Sequence, residues 1–453
     1  TLNNCTLTGN SAYEGGGVYG GTLNNCIVYY NSATNGANYG YCTFAYSCTT
    51  PLPEGPGNID ADPILLTTTH LSDQSPCIGR GSPEYASGVD IDGEPWLDPP
   101  CMGADQFVPG AAIGPLTVAI KAAYTNIATG FAVSFVADNT GPIRASAWDF
   151  GDGARATNQA YASHTWAEAG DYSVVFHAYN DSHPDGVNAT VLVHVVPQPI
   201  FYAAVDSPNP LPPFTSWETA ATNIQDAVDA AALPPGVAGT PLVLVTNGVY
   251  ATGEHAVHGL MGNCVAVTKP LTLRSVNGPE STVIQGYRVP DALGGEQGRG
   301  DGAIRCVYLT EGARLIGFTL TNGHTRAEGD IYAEQSGGGV WCDSTNALIA
   351  NCVIVGNSAT AGGGACGGTL TNCTLTANSA SSGGGAYEST LNNCTLTDNS
   401  AQNVGGGACK GTLRDCTLSG NSAGSGGGVF AAASYNCTLD GNSATSEGGG
   451  AAG

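Results

Sequence analysis

Residues 372–380 read Asn-Cys-Thr-Leu-Thr-Ala-Asn-Ser-Ala, and the same phrase recurs at near-constant spacing. Its cysteines fall at Cys352, Cys373, Cys394, Cys416 and Cys437 near one end of the chain, and at Cys5 and Cys26 near the other. A period this short, with no helical pattern inside it, indicates a β-solenoid whose coils stack on one another. In Cys373-Thr374-Leu375-Thr376 the cysteine and leucine share one parity and the threonines the other. Side chains alternate across a strand, so Cys and Leu point inward and Thr outward. A second strand ends in Thr369-Leu370, and a third follows the glycine triplet, as in Val429-Phe430. Three short strands and three turns then account for one coil of about 21 residues.

The turns carry a second column. An asparagine follows each ladder cysteine at a fixed offset, at Asn10, Asn31, Asn357, Asn378, Asn399, Asn421 and Asn442. Asparagine tolerates left-handed backbone, and stacked amides can bond along a column. Glycine triplets such as Gly383 to Gly385 fit a corner with no room for Cβ. They are not phosphate-cradling loops, because no Lys-Ser/Thr and no helix follows. The cysteines read as a buried thiol ladder; no C-x-x-C pair or Cys/His cluster has zinc spacing. Outside the ladder, Cys42 with Cys48 and Cys77 with Cys101 are candidate disulfides, though spacing cannot fix connectivity.

These repeats resemble the right-handed parallel β-helix, the pectate-lyase-like solenoid, and most closely the coils of bacterial surface proteins and polymorphic outer-membrane-protein repeats. The resemblance covers roughly residues 202–453 and 1–48. Residues 215–232 read as a helix, with a capping-box pattern at Thr215 and Glu218 and a stop at Pro234-Pro235-Gly236. Helix, then Leu242 to Val245, then Leu271 to Leu273, is similar to the N-terminal cap and first coils of such solenoids. Residues 58–107 resemble their closing region. The domains expected are therefore 1–107, C-terminal coils and closing region; 112–197, a separate module; and 202–453, capping helix and N-terminal coils.

The middle module lacks glycine triplets and ladder cysteines. Its Trp148-Asp149-Phe150-Gly151-Asp152-Gly153 and His164-Thr165-Trp166 resemble the PKD domain, an Ig-like β-sandwich that implies a spacer or adhesion role. Asp149 and Asp152 beside glycines read first as turn formers, second as cation ligands. The expected fold class is thus all-β: a parallel β-helix split across the termini, with a sandwich between.

Glycine is abundant at 66 residues, and charged residues are 11 %. Lys+Arg number 13 against Asp+Glu 37, a net charge of −24, which argues against nucleic acid and anionic membranes as partners. No apolar run reaches the length of a membrane span. Counting from Cys437 past Gly453 into Thr1 of a following copy brings Cys5 in at the period of the ladder. The leading expectation is therefore a non-enzymatic structural unit of an extracellular filament or surface protein, with copies of itself as head-to-tail partners.

Two alternatives are carried forward. One is a secreted polysaccharide lyase or glycosidase, centred on the most charged stretch: Arg288, Glu296, Arg299, Asp301, Arg305, His324, Arg326, Glu328, Asp330 and Glu334. The other is an adhesin that binds or carries glycans, with sequons at Asn180 and Asn188. No cofactor is required; calcium suits the carboxylate pairs Asp60/Asp62 and Asp90/Asp92, which lack EF-hand spacing.

Overall fold

The structure, a computed structural model, describes residues 1–110, 112–290 and 298–453. They divide into two compact units, one of residues 1–197 with 236–239, the other of residues 198–235 with 240–453.

The second unit is a parallel β-helix. Among the described residues its strands form four stacks of nine, eight, nine and five members. Leucine sits on leucine through successive coils: Leu370 on Leu391 and Leu375 on Leu396. These leucines, with Leu413 and Leu418, are fully buried, while Thr374 and Thr395 are exposed. Full burial of each leucine contributes about 1.5–3 kcal/mol, so each coil is held chiefly by its row against its neighbours. The three strands expected per coil are present, as in Thr369–Thr371, Thr374–Thr376 and Ala386–Tyr387, the last paired with Ala408–Cys409 of the following coil. A fourth, Ser379–Ser382, joins them in most coils.

Coils of two lengths share this frame. Ala380 pairs with Ala401, yet Ser382 pairs with Val404, one position further along than that register requires. The extra residue is taken up as a bulge within Ser400–Val404, and the next stack resumes with Leu396 on Leu418. The glycine triplet is a steric requirement at the corner. Gly383 has φ +65°, and a Cβ on Gly384 would stand 2.3 Å from the Ser400 carbonyl oxygen.

The helix expected over 215–232 is shorter. A 3₁₀ turn covers Trp217–Thr219 without a side-chain cap, so Thr215 and Glu218 do not form the expected box. The α-helix is Ile224–Ala230, capped by Asn223, whose Oδ1 accepts the Asp226 N–H at 2.8 Å. It buries Ile224, Ala227 and Val228 over the first coils. Gln225 does more: its amide donates to the Ala266 carbonyl at 3.1 Å and accepts the Ala266 N–H at 2.7 Å. A side chain thereby satisfies backbone groups that an uncapped coil would leave bare.

The first unit begins with the same repeat. Leu2–Asn3, Val18–Asn24 and Tyr39–Ala45 stack in parallel, as do Thr6–Leu7, Ile27–Val28 and Cys48–Thr49. Residues 58–107 carry little regular pairing and fold around Leu65, Leu71, Cys77, Cys101 and Met102. A sandwich of five- and three-stranded sheets follows, built on Trp148, Trp166, Phe135 and Phe176. Tyr161 of the sandwich stacks on Tyr30 at 4.0 Å between ring centroids.

All sixteen cysteines are free, which corrects the Cys42–Cys48 and Cys77–Cys101 expectation. Cys42 Sγ donates to the Gly40 carbonyl and Cys48 Sγ to that of Ala61. Cys101 Sγ accepts from the Gln106 side chain at 3.2 Å. Cys42, Cys48 and Cys101 are thus engaged with their own surroundings.

Candidate functional site

Three places have chemistry beyond packing: the ladder, the charged insertion, and the acidic loops of residues 58–107.

In the ladder, each buried asparagine holds the next. Asn378 donates its Nδ2 and its backbone N–H to Asn399 Oδ1 at 3.0 Å, and Asn399 does the same to Asn421 at 3.0 Å. Each Nδ2 also reaches a carbonyl of the preceding coil, as Asn399 to Leu375 at 2.9 Å. The column continues from Asn357 to Asn442, and Asn10 meets Asn31 in the first unit. The left-handed residues are not these asparagines. They stand one position earlier, at Ala377 and Asp398, and before the cysteines, at Asn372 and Asn393. The thiols of Cys373 and Cys394 are pushed up to about 12 by the neighbouring ladder cysteine and by burial, so they stay protonated and inert at neutral pH.

Ala433–Tyr435, Thr438–Asp440, Ser443–Glu447 and Ala451–Ala452 each have a strand neighbour on one side, and Cys437 and Leu439 are only partly buried. In the first unit Leu2–Asn3, Thr6–Leu7 and Ser11–Glu14 are likewise edge strands, with Leu2, Cys5 and Leu7 partly buried. Thr1 and Gly453, the residues expected at a seam, are exposed.

The charged stretch is largely internal architecture. Arg305 is 1 % exposed, and its guanidinium donates to the carbonyls of Gly337 (2.9 Å), Ala333 and Ser336 (2.7 Å each) and to Asn263 Oδ1 (3.0 Å). Burial lowers its pKa to about 10, so it remains a cation at neutral pH. Arg326 is bonded to Asp301 at 2.7 Å and Glu334 at 2.5 Å. Both guanidiniums are thus spent on partners within the fold. Arg299 donates to Thr360 at 2.6 Å, Asp330 accepts the Tyr332 and Ala333 N–H groups, and Glu328 is exposed. Glu296 lies outside the described residues. Arg288 and His324 line one end of a shallow groove of ≈ 570 Å³ that passes Ser358 and Ser379 to Gln402. Burial, then the charges of Arg288 and Arg299, push the His324 imidazole down.

Glu334 is held at about 2, against an ordinary 4.5, by the N–H groups of Leu260 and Asp330 and by Arg326. A depressed carboxylate stabilises the fold above its unfolded pKa, and that stability is lost as pH falls through the folded value. Glu334→Gln is therefore expected to melt below the parent chain at pH 7, with the gap closing between about pH 4.5 and 2. Thermal melts across that range check it; a constant gap contradicts it.

The carboxylate pairs separate. Asp62 takes the Tyr30 hydroxyl and the Ile64 N–H, and Asp60 is exposed. Asp90 spends both oxygens on the N–H groups of Asp92, Glu94 and Gln106, at 2.8–2.9 Å. Asp92 instead faces His70, Oδ2 to Nε2 3.0 Å, with Asp105 beside them. Sequence reading did not find His70 or Asp105, which lie on other loops. Nearby, a pocket of ≈ 240 Å³ is lined by Asn4, Tyr85 and Trp96, and Asn4 Nδ2 and Trp96 Nε1 are buried without hydrogen-bond partners among the described residues.

In the sandwich, Asp149 and Asp152 accept the N–H groups of Gly151 and Ala154, both at 3.0 Å. Asp152 also meets His164 at 2.7 Å and Asp149 meets Arg155 at 3.1 Å, consistent with turn-forming aspartates. Asn188 is exposed, but Asn180 is 2 % exposed and spends its amide on the Gly114 and Pro142 carbonyls, which removes it as a glycan acceptor. No helix among the described residues is long and apolar enough to cross a membrane.

Residues 115–195 match the PKD domain family model. Among solved structures, the chain is similar to the pectin methylesterase PemA of Erwinia chrysanthemi, at 13 % identity and TM-score 0.30, covering 51 % of this chain and 69 % of that one. It is similar to the rice weevil pectin methyl esterase at 12 % identity and TM-score 0.30, covering 51 % and 87 %. The PKD domain of the human VPS10 domain-containing receptor SorCS2 matches at 22 % identity and TM-score 0.17, covering 25 % and 90 %. No curated protein matches the chain in sequence. The expectation of a non-enzyme is corrected by these neighbours: they are enzymes, so a β-helix supplies no ground for excluding catalysis.

Proposed function

We propose that this chain is an extracellular or cell-surface β-helix protein with a PKD spacer, whose solenoid lengthens by head-to-tail stacking of copies. The observation that carries the reading is that coils of the two units repeat the same rows at the same spacing, Leu2 on Leu23 and Asn10 on Asn31 in one, Leu418 on Leu439 and Asn421 on Asn442 in the other. One end is closed by the helix Ile224–Ala230 and by Gln225 on Ala266. The strands of the coil through Thr438–Asp440 each have a strand neighbour on one side, and Leu439 there is partly buried. Exposed edges of this kind are templates for strand addition and are normally blunted or capped. The first coils of the other unit offer the same Cys, Leu and Asn rows at the same spacing, with Leu2 on Leu23 and Asn10 on Asn31.

The test is assembly itself. Purified chain should form linear oligomers that grow with concentration, seen by light scattering and electron microscopy. Denaturing mass spectrometry should return the mass of one chain. Leu439→Lys or Leu7→Lys, each placing a charge in an open apolar row, should abolish growth and leave the far-ultraviolet spectrum unchanged. A chain that stays monomeric at every accessible concentration would sink the reading.

A further inference from the structure

We propose that His70, Asp92 and Asp105 form a binding site for a divalent transition-metal ion that ties together the loops of residues 58–107. This stretch has few means of its own to hold one shape. Its backbone pairing includes the isolated bridges Leu65↔Leu71 and Val89↔Pro95, and its apolar core is small. His70 stands next to the first bridge, Asp92 in the turn spanned by the second, and Asp105 just beyond Met102. The three ligand atoms all lie within 4.8 Å of one another. Donor atoms about 2.0–2.2 Å from a zinc-sized ion are about 3–4 Å apart, so a small contraction completes the set.

Two further observations point to a cation. Asp105 is 5 % exposed; its Oδ2 accepts the Leu71 N–H at 2.8 Å, and its other oxygen accepts no hydrogen bond from a described residue. His70 is also oriented from behind. Its Nδ1 lies 3.0 Å from Thr69 Oγ1 and 2.8 Å from Thr67 Oγ1, and Thr67 Oγ1 is fixed by the Thr69 and His70 N–H groups. With a cation replacing the proton that Nε2 shares with Asp92, Thr69 Oγ1 can accept Nδ1–H and the Nε2 lone pair is free to ligate. An outer hydrogen bond that sets the tautomer is the usual support of a ligating histidine.

The donor set selects the ion. Calcium takes oxygen ligands, and an imidazole with two carboxylates suits zinc, manganese or cobalt better. Asp90 stays outside the shell: its three backbone bonds shape the loop that presents Asp92.

The experiment uses the full chain, stripped with a chelator and titrated with Co²⁺. Visible bands report nitrogen and oxygen ligation, and a near-ultraviolet charge-transfer band reports capture by thiolate. One equivalent is expected without the thiolate band. It should be lost in His70→Gln and Asp105→Asn, and kept in the Asp60→Asn/Asp62→Asn double variant. Zn²⁺ or Mn²⁺ should raise the melting temperature of the parent chain and not that of His70→Gln, whose circular dichroism should match the parent. No binding, a thiolate band alone, binding of Ca²⁺ alone, or binding that survives in His70→Gln would each overturn the proposal and leave a plain histidine–carboxylate pair.

Discussion

Arg305→Met is expected to destabilise the β-helix unit by about 3–5 kcal/mol, because it leaves several buried acceptors without a donor. Methionine fills similar space without adding a charge, so the effect isolates the lost hydrogen bonds. Four acceptors are left behind: the carbonyls of Ala333, Ser336 and Gly337, and Asn263 Oδ1. Each orphaned acceptor costs about 1–3 kcal/mol if it stays dry, and partial hydration sets the lower total. The segment Ala333 to Gly337 should also become the first site of proteolytic cutting, because the guanidinium ties it to the coil that carries Arg305. Lysine should rescue little, since a point charge cannot reach four acceptors arranged for a planar fork. Calorimetry and timed proteolysis read both effects; a loss under about 1 kcal/mol would mean the network is ornamental.

Asn399→Leu is the second large effect. Leucine has nearly the same shape, but Asn378 loses the acceptor for both its N–H and its Nδ2, and the Leu375 carbonyl loses its donor. At about 1–3 kcal/mol for each buried group left unpaired, a loss of about 3–6 kcal/mol is expected. Asn442→Leu, in the partly buried last coil, should cost visibly less. Thr395→Ser, on the exposed face, should stay within about 0.5 kcal/mol. Equal losses at Asn399 and Asn442 would show that the amides contribute independently of burial.

Much of the solenoid was legible because its rows are local. Parity alone put Cys373 and Leu375 inside, and spacing alone stacked Asn378 on Asn399. The left-handed turn residue was misplaced by one position, since asparagine's tolerance of that conformation says where it can occur, not where a corner needs it. Ser379–Ser382 was missed as a strand because Ser-Ala-Ser-Ser has weak strand preference, and only the stack above and below makes it one. Gln225, Arg305 and His70 share a different obstacle. Each acts on groups far along the chain, Gln225 on Ala266 and Arg305 on Ser336, so no window of sequence contains both halves of the interaction. The charged stretch drew attention for its composition, and burial turned its arginine from a candidate reagent into a brace.

The bulge at Ser400–Val404 bears on how such a chain can vary. Each coil takes its alignment from hydrogen bonds to the coil before it, not from a count of residues along the chain. An added residue at a corner is therefore forgotten by the time the next leucine row forms, as Leu418 shows by settling on Leu396. Misalignment is erased locally where in an ordinary sheet it would propagate. A gene encoding this protein can gain or lose residues at its corners, and even a whole coil, while every remaining coil still finds its place.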